Sequence, residues 1–344
     1  MEPPDIKQNI DLKRLNTFGI SVSADKYLDV NGADELSGYV KSGSISPENV
    51  FILGGGSNVL FLNSPSGIVL KMDIQGIRQI SENADSVFIK AGAGVVWHDL
   101  VNYAISRNLG GIENLSLIPG SCGAAPMQNI GAYGVELEQV FEELEAVNLN
   151  TGKTDTFRSE DCDFGYRQSV FKHELKGIYA ITSITLRLSK KPEFNISYGA
   201  IQETLDEMDI PENKLSVKDV SDAVIAIRRS KLPDPKETGN AGSFFKNPVV
   251  PDEVYQNILK EFPEAPGYPA GEGFTKVPAG WLIEKCGWKG KRSQNAGTWH
   301  KQALVIINYG GATGREIYDF AMEIKSSVSQ RFGISLTPEV NIIE

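Results

Sequence analysis

Thiol and imidazole chemistry have little to draw on in this chain of 344 residues. Cysteine occurs three times (Cys122, Cys162, Cys286) and histidine three times (His98, His173, His300). Neither type forms a CxxC or HxxxH pair, so no metal site and no histidine-based triad is expected. Scattered cysteines fit free thiols in a reducing compartment. Positive charge is also scarce. The formal net charge is -10 and no basic run occurs, which argues against general binding to nucleic acid or to a membrane surface. An anionic substrate would need a local cationic pocket. No apolar run approaches the ~18 residues that span a bilayer. The start, Met1-Glu2-Pro3-Pro4-Asp5, is acidic and lacks the apolar core of a signal peptide. A soluble, cytoplasmic protein is expected.

What is present is enough apolar material for sizeable cores, at 41% of residues. The length exceeds what one core usually serves, so two or three domains are expected. Val50-Phe51-Ile52-Leu53 reads as a buried strand that runs straight into three glycines. Residues 67–72, 86–91, 142–149 and 177–188 read as further strands. Trp97, Leu100, Val101, Ala104 and Ile105 mark one face of a helix that Gly110-Gly111 is expected to end. Ser216-Val217-Lys218-Asp219 and Thr313-Gly314-Arg315-Glu316 are capping boxes that open two more helices. Gly333 closes the last of these, and a strand is expected from Ile334 to Ile343.

A phosphate requires several N–H donors pointing inward with no side chain in the way. Gly54-Gly55-Gly56-Ser57-Asn58, directly after a buried strand, offers such a nest. It is neither GxGxxG nor a Walker loop, and no long amphipathic helix follows it. Alone it is equally a tight turn between strands. A second stretch, from Ile118 to Gly134, is long, small and low in charge. Small residues let a backbone lie flat against a ring system; otherwise the stretch reads as a long irregular surface loop. Loops of that length are uncommon and often functional.

In this order, these stretches resemble the UDP-N-acetylenolpyruvoylglucosamine reductase family. The resemblance starts at Asn16-Thr17-Phe18-Gly19 and passes through the triple-glycine loop, Ile118-Pro119-Gly120 and residues 128–134. It continues through Tyr166-Arg167-Gln168-Ser169, Lys231-Leu232-Pro233-Asp234-Pro235 and Gly239-Asn240-Ala241-Gly242-Ser243-Phe244-Phe245-Lys246-Asn247-Pro248, and it closes on Pro338-Glu339-Val340. Single pieces are weak, but their shared order is specific. Ser197-Tyr198-Gly199-Ala200 resembles the tyrosine loop of one subtype, which closes over substrate.

The resemblance implies a mixed α+β and α/β fold. An FAD-binding region of the vanillyl-alcohol-oxidase type has two subdomains, at residues 1–72 and at 73–228 with 334–344. A separate domain at 229–333 takes the substrate. FAD would be held non-covalently by Gly54, Gly55, Gly56, Ser57, Asn58, Pro119, Gly120, Ser121, Gly123, Gln128, Asn129, Gly131, Ala132, Tyr133 and Gly134. NADPH would be the co-substrate and UDP-N-acetylglucosamine enolpyruvate the substrate. The product would be UDP-N-acetylmuramate for peptidoglycan, and the enzyme would act as a monomer.

The implied chemistry adds hydride to the enolpyruvyl double bond and leaves charge on the carbon beside the carboxylate. Ser243 matches the family's proton donor. Arg167 matches its enolate-stabilising arginine, because a guanidinium presents a planar fork to a carboxylate. Glu339 matches the acid supporting the same charge. Lys231 matches a substrate-binding lysine, with Arg228 on the same helix face. Tyr198, Asn247 and Gln302 are the remaining substrate candidates. Each has an ordinary counterpart: a turn serine, a surface arginine, the exposed face of a strand, a basic residue at a helix C-terminus. Two departures stand out. Ala124-Ala125 replaces a Ser-Ser or Gly-Gly pair, and Asn341 replaces an arginine. Two other readings compete: an oxidase with covalent flavin, for which His98 is the available histidine, and a nucleotide-binding module without catalysis.

Overall fold

The computed structural model describes residues 4–344; the first three residues of the acidic start lie outside it. Backbone contacts divide the chain into two units. The first comprises residues 1–10, 23–56 and 65–230, and the second 11–22, 57–64 and 231–344. This division by contacts differs from the three-domain arrangement expected from sequence. Residues 334–344 group with 231–333, and most of 1–72 groups with 73–230.

Among its described residues the first unit holds two large sheets and one two-stranded hairpin. Lys7–Asp11, Ser23–Val30, Ile68–Met72 and Val50–Leu53 form a four-stranded sheet in that order. Ile68–Met72 pairs in parallel with both of its neighbours. Its side chains are apolar on nearly every position, as a strand covered on both faces requires. Thr154–Arg158, Phe141–Asn148, Tyr179–Ser189, Ser86–Gly92 and Ile77–Glu82 form a five-stranded antiparallel sheet. One apolar core gathers Val87, Ile89, Leu144, Ile184 and Leu186 from this sheet with Trp97, Leu100 and Val101 from the helix Trp97–Ile105.

That helix stops before the expected glycines. Its last residue is Ile105, and Asn108 (φ 53°) makes the left-handed turn. Asparagine tolerates that conformation because its short amide hydrogen-bonds locally. Gly110 serves close packing instead: a Cβ there would lie 2.6 Å from the Pro192 Cβ.

The helix Val217–Lys231 starts at the expected box, with Asp219 N–H donating to the Ser216 hydroxyl at 3.3 Å and Ser216 N–H donating to the Asp219 carboxylate at 2.9 Å. It buries Val220, Val224 and Ile227.

In the second unit, Gly239–Ser243, Gln302–Asn308, Ala296–Trp299 and Arg292–Ser293 form an antiparallel sheet. The helix Gly314–Phe332 is capped by Thr313 and ended by Gly333 at φ 67°. The expected terminal strand is shorter than its alternating pattern suggests. Only Asn341–Ile343 is a strand, in parallel with Val59–Phe61. Pro338 lacks an N–H and makes one isolated bridge, to Phe245.

Among the described residues, no helix is long and apolar enough to cross a membrane. No cluster of His, Cys, Asp and Glu there could hold a metal.

Candidate active site

The unit boundary falls inside the first glycine loop, after Gly56. In the first unit, Gly54 and Gly55 lie directly against the second stretch. A Cβ on Gly55 would sit 2.7 Å from the Gly120 Cα and 3.0 Å from the Ser121 nitrogen. One on Gly54 would sit 2.9 Å from the Ser121 Oγ and 3.3 Å from the Ala124 Cβ. The two stretches therefore meet with no room for a side chain, and Ala124 occupies some of the space. Ser121 is 5% exposed and its hydroxyl has no hydrogen-bond partner. A buried hydroxyl left unpaired costs free energy unless a ligand satisfies it. Small residues, close-set backbone and an orphaned hydroxyl fit an extended group such as FAD.

The stretch is a built element, not the surface loop its composition allowed. Its first half lies beside the segment Ala93–Trp97. Trp97 N–H donates to the Gly120 carbonyl at 3.0 Å, Cys122 N–H to Val95 at 2.8 Å, and Gly123 N–H to Ala93 at 2.9 Å. Its second half is a hairpin pairing Gly131–Ala132 with Val135–Glu136. Tyr133 (φ 52°) and Gly134 (φ 79°) take the two left-handed positions of the turn, as a type I′ turn demands.

Asn129 is fully buried, and its side chain is engaged with residues beyond the stretch. It donates to Glu136 at 3.1 Å and accepts from Glu138 N–H at 3.0 Å. Gln128 accepts from Lys172 at 3.4 Å.

Arg167 sits in a tight turn closed by Gly165 and Gln168, at φ 58°. That is a costly conformation for a long side chain and is found where the surroundings impose it. Its guanidinium donates to the Gly131 carbonyl at 2.6 Å, so the cation rests on the glycine-rich stretch. Arg228 is half-buried; burial pulls its pKa down and the neighbouring Tyr133 opposes this. Tyr198 is 49% exposed, and its ring meets Tyr133 edge-on at 5.3 Å. The first unit thus gathers Tyr133, Tyr198 and Arg228. Beside them in sequence, Glu193–Ser197 and Gln202 line an open cavity of about 670 Å³. His98 accepts a hydrogen bond from Leu117 N–H at Nδ1 (3.0 Å), and burial lowers its pKa. Its ring is thus engaged with the backbone that leads into the second stretch.

In the second unit, the strand carrying Ser243 is anchored by the Asn16-Thr17-Phe18-Gly19 segment. Asn240 N–H donates to the Thr17 carbonyl at 3.0 Å, and the Asn308 amide donates to Phe18 at 2.9 Å. Gly239 presses on the Phe18 carbonyl. The pairing with Gln302–Asn308 slips between Asn240 and Ser243, with Gly242 left-handed at φ 69°. Such a bulge re-aims the next side chain. Ser243 is exposed, while Phe244 and Phe245 are buried.

Glu339 is held at the same place: its N–H donates to the Phe244 carbonyl at 2.8 Å. The Asn58 amide donates to the Glu339 carbonyl at 3.2 Å, and the Asn341 amide donates back to the Asn58 carbonyl at 2.8 Å. Asn341 thus has a local role of its own in this chain. Asn247 and Gln302 meet at the helix Ala279–Lys285. Asn247 accepts from Ala279 N–H at 2.9 Å, and the Gln302 Oε1 would lie 2.8 Å from a Cβ on Gly280. Lys231 is the exposed last residue of its helix.

Sequence reasoning overlooked Asn114 and Asn195, which tie the Tyr133–Gly134 turn to the segment before Tyr198. Nothing in their local sequence pattern singles them out.

Two family models match the chain. A FAD binding domain covers residues 25–157. The C-terminal domain of UDP-N-acetylenolpyruvoylglucosamine reductase covers residues 234–343. The UDP-N-acetylenolpyruvoylglucosamine reductase of Amoebophilus asiaticus is 49% identical over 99% of this chain and 100% of its own. That of Flavobacterium johnsoniae is 47% identical over 98% and 100%. The crystal structure of the reductase from Thermus caldophilus shares the fold, with a TM-score of 0.66 at 21% identity, over 99% of this chain and 100% of that one. The chain belongs to the UDP-N-acetylenolpyruvoylglucosamine reductase family.

Proposed function

We propose that this protein reduces UDP-N-acetylglucosamine enolpyruvate to UDP-N-acetylmuramate, with FAD as cofactor and NADPH as reductant. The reaction is a step of peptidoglycan precursor synthesis, through which it serves cell shape and division. The observation that carries the reading is the pairing of the segment after Ser243 with the C-terminal acid, Glu339 N–H donating to the Phe244 carbonyl, in a chain whose relatives carry this name. FAD, when bound, supplies the hydride-transfer chemistry.

The protein's own contribution is to hold and to protonate. Gly54, Gly55 and Gly120 give the cofactor backbone approach, and the Ser121 hydroxyl donates to it. Pro119, Gly123, Gly131 and Ala132 keep its path free of bulk. On the reacting substrate the Ser243 hydroxyl gives its proton to the carbon beside the carboxylate. Arg167, as a cation, and Glu339, as an acid or hydrogen-bond donor, stabilise the carboxylate while it carries enolate charge; removing one such stabiliser typically costs roughly 2.7–4 kcal/mol. Lys231 and Arg228 supply the cations that a nucleoside diphosphate needs against a net charge of -10. Tyr198 adds an aromatic contact, and Asn247 and Gln302 add polar ones.

The cofactor belongs to residues 1–228 and 334–344 in the vanillyl-alcohol-oxidase manner, and the nucleotide sugar to 229–333. The free thiols of Cys122, Cys162 and Cys286 support a cytoplasmic setting. The proposal includes action as a monomer, and light scattering checks it. Purified protein should show a flavin spectrum and oxidise NADPH only when the enolpyruvyl sugar nucleotide is present. Flavin-loaded protein that leaves NADPH unconsumed with that substrate would overturn the reading.

A further inference from the structure

The Tyr133–Gly134 turn and the segment leading to Tyr198 are joined by two asparagine side chains. Asn114 is 1% exposed. Its amide nitrogen donates to the Tyr133 carbonyl at 3.0 Å and to the Asn195 carbonyl at 2.8 Å. Both donors of that amide are thereby used, one on each side of the junction. Asn195 answers in the opposite direction: its amide donates to the Gly134 carbonyl at 3.0 Å, and its Oδ1 accepts from the Ser197 hydroxyl at 2.8 Å. The fit is close, since a Cβ on Gly134 would lie 2.9 Å from the Asn195 Nδ2. The clasp grips a strained point, because Tyr133 is a bulky residue at φ 52°. Immediately beyond it, the Tyr198 ring rests edge-on against Tyr133.

We propose that Asn114 and Asn195 are positioning residues that lock the base of the Tyr198 segment to the cofactor-side hairpin and so set where Tyr198 meets the nucleotide sugar. The inference rests on the reading of Tyr198 as a substrate contact. A buried amide bridging two carbonyls has one favoured geometry, because any shift breaks one of its two hydrogen bonds. Asn114 therefore fixes the two backbones relative to each other. The more accessible Asn195 fixes the direction in which the chain leaves toward Ser197 and Tyr198.

The test uses FAD-loaded, full-length Asn195→Ala, Asn114→Ala and Tyr198→Ala proteins, and the Asn195→Ala/Tyr198→Ala pair. Asn195→Ala is the decisive variant because it empties no buried site. We expect its KM for the enolpyruvyl substrate to rise about five- to tenfold. Flavin content, thermal midpoint and the rate of flavin reduction by NADPH stay near wild type, and amide exchange over residues 195–200 speeds up. In the double variant KM should match that of Tyr198→Ala alone, since a misplaced contact cannot be lost twice. A raised KM in Tyr198→Ala with an unchanged KM in Asn195→Ala would overturn the clasp and leave the Tyr198 reading standing. An unchanged KM in Tyr198→Ala would overturn both. Additive losses in the double variant would also sink the positioning role.

Discussion

The backbone N–H of Glu339 donates to the carbonyl of Phe244 at 2.8 Å, which sets the acid one residue away from Ser243 across the chain pairing. The two residues are 96 positions apart in sequence. Phe244 is fully buried, with its ring edge-on to those of Phe245 and Phe18. The bulge at Gly242 then leaves the serine side chain exposed while its neighbours are locked.

Ser243→Ala should separate the two halves of the reaction. We expect reoxidation of the flavin by substrate to slow about 10²- to 10⁴-fold, the range for one positioned proton donor. Reduction by NADPH should be nearly normal. Stopped-flow absorbance in the flavin band resolves the two phases, and equal slowing of both would remove Ser243 as the proton donor.

Glu339→Gln and Arg167→Lys address the enolate charge. Each should lower kcat roughly 10²- to 10³-fold while flavin content stays normal. Lysine keeps the charge at 167 but loses the planar fork and the reach to the Gly131 carbonyl. Full turnover in Glu339→Gln would exclude that residue from the mechanism.

Gly55→Ala tests the cofactor cradle. The new methyl would meet Gly120 backbone at 2.7 Å, and backbone cannot rotate away as a side chain can. The variant should purify with little flavin and bind added FAD at least tenfold more weakly by fluorescence titration. Wild-type affinity would mean that the two stretches do not need their close approach.

Acid should weaken the fold through His98. Its folded pKa is lowered by burial from an ordinary 6.5, so the unfolded chain takes up the proton first. The contribution is intact above pH 6.5 and is lost as pH falls from there toward the lower folded pKa, with a slope of at most about 1.4 kcal/mol per pH unit. Protonation at Nδ1 also removes the acceptor for Leu117 N–H. In thermal midpoints measured from about pH 5 to 8, His98→Asn should flatten this region of the profile. An unchanged profile would assign the acid sensitivity elsewhere.

Local order in the chain was legible wherever a short-range rule applies. The strand before Gly54, of which only Leu53 is fully buried, the helices at Trp97, Ser216 and Thr313, and the stop at Gly333 follow from periodicity and capping chemistry. The rules failed where a competing residue took over. Asn108 ended a helix before Gly110-Gly111 could, and Pro338 interrupted the alternating pattern of residues 334–343.

By itself, the sequence determined the inventory: two glycine-rich stretches, a serine behind a glycine, an arginine, an acid near the C-terminus, and an order of motifs that points to one family. It could not determine which of these touch. That Gly55 lies on Gly120, that Arg167 rests on Gly131, and that Glu339 hangs from Phe244 depend on contacts between residues 36 to 95 positions apart. The tertiary structure alone decides such contacts. They are set by the burial of side chains such as Phe244 and by the pairing of backbone groups that water cannot reach. The same holds for Asn114, which nothing in its local pattern distinguishes: its role exists only because folding brings two carbonyls to its amide.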